Sequence, residues 1–321
     1  MKCLVTGGAG FIGSHLVHGL LKRGHEVRVF DNFSTGKHQN VEHLPIDLVE
    51  GDVRDASAIA DAMHGVKYVF HLAALGSVAR SVEDPMTTHD INETGTLRVL
   101  EAARAAKVKR VVLASSSSIY GNAAAMPKRE SAKPAPMSPY AVSKLTGEYY
   151  CNVFWNTYDL ETVCLRYFNV FGPRQDPASE YAAVIPRFID AVLNGEQPVI
   201  FGDGTQSRDF TYVANVAEAT IQAAMAPKAA GQICNVACGE RWSLLELVKL
   251  MEQILDCRIK PVFKDPRVGD VMHSQAAIVR AQRVLDYAPR ISFQRGLRET
   301  VEWFRYMHEE SAEPARLVSS L

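Results

Sequence analysis

The chain has 321 residues, of which 47% are hydrophobic, and its formal net charge is −1. It is long enough to bury a large core, and we expect two lobes. Acidic and basic residues are interspersed without a basic stripe, which argues against a nucleic-acid partner. The first apolar stretch is short and broken by glycine, so we expect no signal peptide, no membrane span and a cytoplasmic location.

The amino-terminal segment predicts a strand, a glycine turn and a helix, in that order. Residues 2–6 are an apolar strand, Gly7-Gly-Ala-Gly10-Phe-Ile-Gly13 follows, and residues 14–21 have helical spacing. This order is the context of a dinucleotide-binding turn, in which glycines bring backbone amides against a pyrophosphate at a helix N-terminus. The spacing is one residue wider at its start than the commonest form.

The second predicted strand, residues 25–30, ends in Asp31. An acid about twenty residues after the glycines binds the hydroxyls of the adenosine ribose and repels a 2′-phosphate, which favours NAD over NADP. Asp52 follows the third predicted strand, residues 47–51, in the same way. We expect Asp52 to reach the adenine amino group.

Strands and helices alternate as far as about residue 166. Further strands are predicted at 66–72, 110–115 and 161–166, with helices at 88–106 and 139–158. Apolar strands joined by crossover helices predict an α/β fold, a Rossmann-like doubly wound parallel sheet covered on both faces. Ligands then bind beyond the carboxyl ends of the strands.

The pattern changes after residue 167, where loops, shorter helices and short strands begin. We predict an NAD-binding domain over residues 1–167 and a smaller carboxyl-terminal α/β lobe for the substrate over 168–308, with the chain free to cross between them. Residues 309–321 are predicted to be a loose tail.

The six cysteines stand at positions 3, 151, 164, 234, 238 and 257, and no Cys-x-x-Cys occurs. Cys234 and Cys238 are close, but they lie in a predicted strand and turn with no histidine cluster nearby. We therefore expect reduced, mostly buried thiols and no bound metal.

Tyr140 and Lys144 stand four residues apart and share one face of the helix predicted at 139–158. An ammonium held against a phenol lowers the pKa of the tyrosine from its ordinary value near ~10, which suits a general base. The serine run 115–118 ends a buried strand and can face the same cleft. Serine, tyrosine, lysine and a nicotinamide together make a hydride-transfer site.

With these motifs, the chain resembles the extended short-chain dehydrogenases/reductases, and among them the sugar-nucleotide epimerases, over about residues 1–305. The resemblance also rests on His71-Leu-Ala-Ala74, Arg166-Tyr-Phe-Asn-Val-Phe-Gly172, Gly202-Asp-Gly-Thr-Gln-Ser-Arg-Asp-Phe210 and Arg267-Val-Gly-Asp-Val-Met-His-Ser274. Within this branch, residues 76–81 and 174–186 resemble the bacterial UDP-N-acetylhexosamine 4-epimerases.

The resemblance implies an NAD site and a UDP-sugar site. It implies cofactor binding for Gly7, Gly10, Phe11, Ile12, Gly13, Asp31, Asn32, Ser34, Thr35, Gly36, Asp52, Val53, Leu72, Ala73, Ala74, Asn92, Ser115, Tyr140, Lys144, Tyr167 and Phe168. It implies catalytic roles for Ser116, Ser117, Tyr140 and Lys144. It implies substrate binding for Ser77, Ser116, Ser117, Ser118, Tyr140, Asn169, Val184, Phe201, Arg208, Arg267, Asp270 and Ser274.

Several of these roles are more specific. Tyr140 is expected to be the base and Lys144 to bind the nicotinamide ribose, with Tyr167 and Phe168 bordering the nicotinamide. The diphosphate is assigned to Asn169, Arg208 and Arg267, the uracil to Phe201 and the uridine ribose to Asp270. Ser274 matches a position at the sugar end of the pocket, where a small residue leaves room for an N-acetyl group.

The resemblance thus predicts an NAD-dependent 4-epimerase of UDP-GlcNAc and UDP-GalNAc, with a 4-keto intermediate. It leaves UDP-Glc and UDP-Gal open as further substrates. It also implies a homodimer formed through the helices at 88–106 and 139–158. Ile91, Gly95, Val99 and Ala102 have the spacing of one stripe on the first of these helices. The alternative is that this stripe packs on the chain's own sheet.

Other functions stay open at this point. A sugar-nucleotide reductase or dehydrogenase shares the fold but releases its cofactor, and a UDP-hexuronic acid 4-epimerase needs a cation near the sugar carboxylate, for which Arg80 is a candidate. A non-catalytic NAD-sensing module usually lacks the tyrosine or the lysine, and both are present. Dehydratases carry Asp-Glu where this chain has Ser117-Ser118, which argues against dehydration.

The chain departs from the family pattern at three positions. The family usually has Asp where Asn215 and Ala277 stand, and Gly where Asp286 stands. We expect these positions to affect local hydrogen bonding and not the chemistry.

Overall fold

The computed structural model describes residues 1–122, 125–177, 183–266 and 272–318, and it describes side chains as far as Glu310. The strands are β1 (Lys2–Thr6), β2 (Glu26–Asp31), β3 (Asp47–Glu50), β4 (Tyr68–His71), β5 (Arg110–Ser116), β6 (Glu161–Tyr167), β7 (Val170–Phe171), β8 (Val199–Phe201), β9 (Ser207–Arg208), β10 (Thr211–Tyr212), β11 (Gln232–Val236), β12 (Trp242–Ser243) and β13 (Val262–Lys264). The helices are α1 (Phe11–Leu21), α2 (Ala56–Ala62), α3 (Val78–Glu83), α4 (Pro85–His89), α5 (Gly95–Ala105), α6 (Pro139–Tyr158), α7 (Val184–Leu193), α8 (Val213–Met225), α9 (Leu244–Leu255), α10 (Val279–Leu285) and α11 (Phe293–Val318).

Seven parallel strands form the central sheet, in the order β11-β6-β5-β4-β1-β2-β3. Thr6 at the end of β1 pairs with Phe30 on one side and with His71 on the other, so the carboxyl ends of these strands lie level. The strand order reverses beside β1, and such a point is where open α/β sheets bind ligands. The predicted doubly wound fold is confirmed.

Two apolar cores cover the two faces of this sheet. On one face, Leu16 and Val17 of α1 pack with Val216 and Ile221 of α8. On the other face, helices α2, α5 and α6 bury their own apolar side chains together with those of the strands. Because both faces are covered, the strands are apolar throughout instead of alternating.

The chain returns to the central sheet well after residue 167. Helix α8 packs on α1, and β11 pairs with β6 at the edge of the sheet. Between and after these elements, α7, α9 and α11 build a separate core around Phe188, Leu247 and Leu297. The chain therefore crosses between the central sheet and this separate core. The division into a cofactor domain and a substrate domain stays a prediction.

Two predicted elements differ from the structure. The helix expected at 88–106 is divided into α4 and α5 by a π-helical turn, Asp90–Thr94, and π turns of this kind often occur at functional sites. Helix α11 extends to Val318, so the backbone is helical over most of the segment 309–321 that we expected to be loose. Seven of the 13 residues in this segment are Glu, Ala or Leu, which are good helix formers.

Of the three positions that depart from the family pattern, Asn215 lies in the first turn of α8, Ala277 in a loop and Asp286 at the end of α10. Asn215 donates to the carbonyl of Ile291 and accepts from the amides of Arg290 and Ile291, and an aspartate could only accept. Asp286 ends α10 with φ +58°, a conformation that glycine adopts most easily.

No helix in the described ranges has the length and apolar run needed to span a membrane.

Candidate active site

A cavity of about 690 Å³ lies at the carboxyl ends of the central strands. This volume is in the usual range for a small-molecule or cofactor site. Its lining includes every residue expected to bind the cofactor except Asn92 and Phe168. The structure also adds residues that the sequence did not indicate, among them Lys37, Ile91 and Asp176. We call this space the dinucleotide cavity.

The glycine turn after β1 forms one wall of the dinucleotide cavity. A Cβ on Gly13 would lie 2.0 Å from the carbonyl oxygen of Gly7, and one on Gly7, which has φ +70°, would lie 2.7 Å from the amide nitrogen of Ala73. These two glycines are required by close packing of the protein itself. At Gly10, by contrast, a Cβ would have the Gly7 oxygen as its one close neighbour, at 3.3 Å.

Helix α1 begins at this turn, and none of the described side chains caps it at Gly10. Its first residues line the dinucleotide cavity, so its amide groups and the positive end of its dipole face that space. A pyrophosphate is the kind of anion that binds at such a helix terminus. The residues present therefore fit the phosphates of a dinucleotide, and Gly10 leaves the space that a Cβ would otherwise fill.

Asp31 is buried at the end of β2 and faces the dinucleotide cavity. Its carboxylate accepts hydrogen bonds from the amides of Ala9 and Phe33, both at 2.9 Å. Burial raises the pKa of Asp31, and these two amides oppose that rise. A carboxylate has about four acceptor positions, so two remain for the ribose hydroxyls predicted from the sequence.

Asp52 also lines the dinucleotide cavity, but its charge already has a partner. Arg54 binds it through Nε at 2.9 Å and Nη2 at 2.8 Å, and the side-chain amide of Asn32 donates to it at 2.9 Å. The Arg54 hydrogen bonds lower the pKa of Asp52 to about 2. The expected contact with the adenine amino group stays a prediction.

Tyr140 and Lys144 lie in the first turns of α6, which begins where the sequence provides a cap. The Ser138 hydroxyl accepts from the amide of Ala141 at 3.1 Å, and Pro139 occupies the first helical position. The Lys144 ammonium donates to the carbonyl of Ala114 at 2.9 Å and lies 5.8 Å from the centre of the Tyr140 ring. Both side chains line the dinucleotide cavity, as the helical spacing predicted.

The pKa of Tyr140 moves in the direction opposite to our expectation. Burial raises it, and a hydrogen bond with Ser116 lowers it by less. Burial also lowers the pKa of Lys144 to about 8, because desolvation disfavours its charge. The expectation that Lys144 lowers the pKa of Tyr140 is therefore wrong for the protein's own groups. A phenolate near neutral pH requires a positive charge beyond that of Lys144.

The serine run divides into side chains with different neighbours. Ser115 donates to the carboxylate of Glu148 at 2.5 Å and is buried. Ser116 accepts from both the amide and the hydroxyl of Ser118, at 3.2 and 2.9 Å, and it also bonds Tyr140. Ser116 is thus the serine that the structure joins to the tyrosine. Ser117 is half-buried beside it.

Two residues expected to bind the cofactor lie away from the lining of the cavity. Asn92 accepts from the amide of Leu75, donates to its carbonyl and bonds the Ser143 hydroxyl at 3.0 Å, so it ties the loop after β4 to α6. Phe168 is fully buried and packs near Tyr120 in a small core. Among the described contacts, the side chains of both residues serve the protein's own packing.

A second cavity, of about 310 Å³, lies between α7 and the segment from β8 to β10. It is lined by four of the residues expected to bind the substrate, which are Asn169, Val184, Phe201 and Arg208. The residues expected to bind the substrate did not include four others that line this cavity, which are Arg187, Phe188, Gln206 and Phe210. Arg187 lies three residues after Val184 on the same face of α7, and this spacing was the signal that would have found it. We call this space the nucleotide cavity.

The remaining predicted substrate residues are placed as follows. Ser77 caps α3 by accepting from the amide of Arg80, and both residues line the dinucleotide cavity. Ser274 is half-buried, its amide donates to the carbonyl of Ser207 at 3.0 Å, and the linings of the two cavities do not include it. Arg267 and Asp270 lie outside the described residues.

Comparison with known proteins places this geometry in a family. Residues 3–237 match the NAD dependent epimerase/dehydratase family. The chain is 40% identical to a UDP-glucose 4-epimerase from Mycolicibacterium smegmatis over 311 aligned residues. The alignment covers 95% of this chain and 99% of that protein. The chain belongs to the NAD dependent epimerase/dehydratase family.

Solved structures of this family have the same fold. A UDP-N-acetylglucosamine 4-epimerase from Methanobrevibacter ruminantium M1, in complex with UDP-N-acetylmuramic acid, is 42% identical with a TM-score of 0.91, over 95% of this chain and 98% of that one. A UDP-glucuronic acid 4-epimerase from Bacillus cereus, in complex with UDP-glucuronic acid and NAD, is 33% identical with a TM-score of 0.88, over 96% and 100%. The family is NAD dependent, so the cofactor prediction is confirmed.

Proposed function

We propose that this member of the NAD dependent epimerase/dehydratase family is a 4-epimerase that interconverts UDP-GlcNAc and UDP-GalNAc. The observation that carries the proposal is the joining of Ser116, Tyr140 and Lys144 at the edge of a cavity built for a dinucleotide. A base held beside a tightly bound hydride acceptor suits oxidation of a secondary alcohol. Similarity to a UDP-glucose and a UDP-N-acetylglucosamine 4-epimerase supports inversion at carbon 4.

The chain's own residues account for the proton transfer. Ser116 and Tyr140 hold the 4-hydroxyl of the sugar, and Tyr140 takes the proton of this hydroxyl. After the 4-keto sugar has turned its other face towards the cofactor, Tyr140 returns the proton to the same oxygen. Lys144, fixed on the Ala114 carbonyl, holds its ammonium near the phenol ring. Bound NAD supplies the hydride acceptor, the returning hydride and, when oxidised, the additional positive charge that the pKa of Tyr140 requires. The product is the epimer, with no net change of redox state.

The nucleotide cavity supports the other requirement of the reaction, which is a firm hold on the UDP group while the 4-keto sugar turns. Arg187 and Arg208 line it together with the aromatic ring of Phe201. Guanidinium groups form paired hydrogen bonds with phosphate oxygens, and an aromatic face suits a pyrimidine base. With the diphosphate held there, the sugar can present either face to Tyr140.

The choice of N-acetylated sugar rests on the resemblance around Ser274, whose small side chain leaves room for an acetyl group. A second candidate is a UDP-hexuronic acid 4-epimerase. The observation that favours it is Arg80, which lines the dinucleotide cavity beside Ser77 and carries the charge that a sugar carboxylate needs. The similarity to a UDP-glucuronic acid 4-epimerase supports the same candidate.

The test is to incubate the purified protein separately with UDP-GlcNAc, UDP-Glc and UDP-GlcA, and to resolve the products chromatographically. We expect UDP-GalNAc to form from UDP-GlcNAc with the highest kcat/KM and without added NAD. A higher kcat/KM for UDP-GlcA would establish the second candidate. Stoichiometric NADH release with any substrate would contradict epimerisation and indicate a dehydrogenase.

A further inference from the structure

A cluster of buried polar side chains lies one helical turn beyond Lys144, on the same side of α6. Glu148 stands four residues after Lys144, and its side chain is 1% exposed. Its carboxylate accepts from Arg166 Nε at 2.8 Å and Arg166 Nη2 at 2.7 Å, and from the Ser115 hydroxyl at 2.5 Å. A paired guanidinium–carboxylate contact of this kind fixes both distance and orientation.

Glu148 makes one of three contacts that join α6 to the end of β5. Tyr140, Lys144 and Glu148 lie four residues apart and therefore share one side of the helix. They bond three consecutive positions of β5, because Lys144 bonds the Ala114 carbonyl, Glu148 bonds the Ser115 hydroxyl, and Tyr140 bonds Ser116. Of these three contacts, the one made by Glu148 is the most deeply buried.

The other side of the cluster is held as firmly. Arg166 Nη1 donates to the Tyr120 hydroxyl at 2.8 Å, and that hydroxyl donates to the side-chain oxygen of Asn235 at 2.7 Å. The backbone amide of Asn235 in turn donates to Glu130 at 2.9 Å. The cluster therefore connects α6, β5, β6 and β11, and the residue after Arg166 is Tyr167, which lines the dinucleotide cavity.

We propose that Glu148 is a positioning residue, which sets the register of α6 against β5 and thereby holds Tyr140 against Ser116 and Lys144 against Ala114. The inference rests on the proton transfer proposed above for Tyr140. Proton transfer depends on the geometry of the base, and a displacement of about 1 Å can reduce a rate by up to ~10²-fold. A fully buried and fully hydrogen-bonded charged pair is rigid enough to supply that geometry.

A second ion pair, between Arg110 of β5 and Glu161 of β6, serves as a control; its arginine is buried and its glutamate is 29% exposed. At the amino ends of these strands, Arg110 binds Glu161 through Nε at 2.8 Å and donates to the carbonyls of Ala223 and Ala224. The Arg110 side chain is 4% exposed, much like that of Arg166. This pair joins β5 to β6, whereas Glu148 and Arg166 join α6 to β6, and it lies at the opposite end of these strands from Tyr140.

The experiment compares two double variants of the NAD-loaded protein, Glu148→Gln with Arg166→Gln and Arg110→Gln with Glu161→Gln. Both charges of a pair are removed together, because a single change would leave a buried charge without its partner. We expect both variants to lower the Tm. Only the Glu148→Gln, Arg166→Gln variant should lower kcat, by about 10- to 100-fold, because it displaces Tyr140. Its KM should change less than about threefold, because the residues that bind the UDP group stay in place.

A pH profile adds a readout that a loss of stability would not change. If Tyr140 moves away from Ser116, whose hydrogen bond lowers the pKa of Tyr140, that pKa rises, so the acidic limb of kcat should shift to higher pH in the first variant alone. Ser115→Ala keeps the Glu148–Arg166 ion pair and removes the hydrogen bond from Ser115 to Glu148. This variant should fold normally, and its acidic limb of kcat should shift to higher pH by less than that of the double variant.

Titration of the Tyr140 phenol tests the inference without turnover. The absorbance of tyrosinate is followed with pH, and the signal of a matching Tyr140→Phe protein is subtracted in each background. We expect a higher apparent pKa in the Glu148→Gln, Arg166→Gln protein and no change in the Arg110→Gln, Glu161→Gln protein. An unchanged titration in the first, or equal kcat losses in both, would overturn the inference. Failure of the wild type to convert any UDP-hexose would instead remove the proposed function, and the titration would still decide the role of Glu148.

Discussion

The two cavities differ in how much of them the sequence predicted. The dinucleotide cavity is lined by almost all the residues expected there, whereas the nucleotide cavity contains at least as many unexpected residues as expected ones. The first is built from short turns that each follow a strand of one parallel sheet, so position in the sequence fixes position in space. The second is built from a helix, short strands and loops whose arrangement depends on a separate core. Local sequence patterns therefore predict the residues of the dinucleotide cavity better than those of the nucleotide cavity.

The largest expected effect tests the centre of the dinucleotide cavity. Tyr140→Phe removes the ionisable oxygen with little change of shape, and loss of a general base typically costs ~10²–10⁴-fold in rate. We expect kcat to fall by that factor while the protein keeps its NAD and its Tm. The matched control is Tyr149→Phe, on the same helix but 60% exposed, which should leave turnover unchanged. Near-normal turnover by folded, NAD-loaded Tyr140→Phe protein would contradict the proposed mechanism.

The next effect separates glycines required by the protein from a glycine required by the ligand. Gly13→Ala places a Cβ 2.0 Å from the Gly7 carbonyl oxygen, so the turn must move, and both the Tm and the NAD content should fall. In Gly10→Ala the Cβ has a single protein neighbour, at 3.3 Å, so the Tm measured without NAD should stay close to that of the wild type. Its NAD content, measured after denaturation, should nevertheless fall, because the methyl group occupies the pyrophosphate space.

If Gly10→Ala protein kept its full complement of NAD, the phosphates would not bind at this turn. The released nucleotide also tests Asp31, since a carboxylate at the ribose should exclude NADP. Recovery of NADP from the wild-type protein would show that Asp31 does not face the ribose. Retention of NAD by Gly10→Ala protein, or release of NADP from the wild type, would show that the sequence predicted the dinucleotide cavity less well than its lining suggests.

The parts of the fold that could not be predicted depend on contacts between segments distant in the sequence. Alternating strands and helices predicted most of the central sheet. The strand at 232–236 also joins that sheet, and the helix at 213–225 packs on the first helix, a contact between segments about 200 residues apart. The π turn at Asp90–Thr94 has no local signal, and the Asn92 contacts that accompany it are to distant residues. Tyr140 and Lys144 were found from their spacing together with the glycine turn and the serine run, whereas the direction of the Tyr140 pKa depends on burial, which these motifs do not show.

The nucleotide cavity gives the third prediction. Arg187→Gln removes a charge that lines this cavity and that the sequence did not indicate. Hydrogen bonds to charged groups contribute about 1.5–3 kcal/mol, so KM for the UDP-sugar should rise roughly 10- to 100-fold. The effect on kcat should be smaller, and the NAD content should not change. Arg295→Gln, an exposed change on α11, is the control and should alter neither constant. An unchanged KM in Arg187→Gln protein would place the diphosphate elsewhere.

The smallest expected effect on catalysis concerns the surface of α6 that faces away from the active site. The stripe we expected to form a dimer is buried in the chain's own core, because Val99 is fully buried and a Cβ on Gly95 would lie 2.6 Å from Val53. A different stripe is exposed, with Val142, Tyr149 and Val153 at 44%, 60% and 46%. Spacings of seven and four residues place these three side chains on one face of the helix.

We propose that two copies of the chain associate through this exposed stripe of α6 and the neighbouring Met86 of α4, which is 69% exposed. Val142→Glu together with Val153→Glu puts two like charges on each copy, so burial of the stripe against a second copy becomes costly. Light scattering at micromolar concentration should then give the monomer mass in place of the dimer mass. Because Tyr140 and Lys144 lie on the opposite side of α6, kcat should change by less than about twofold. A wild-type protein that is already monomeric would remove the dimer proposal, and a large loss of kcat in the monomeric variant would show that the two sides of α6 are coupled.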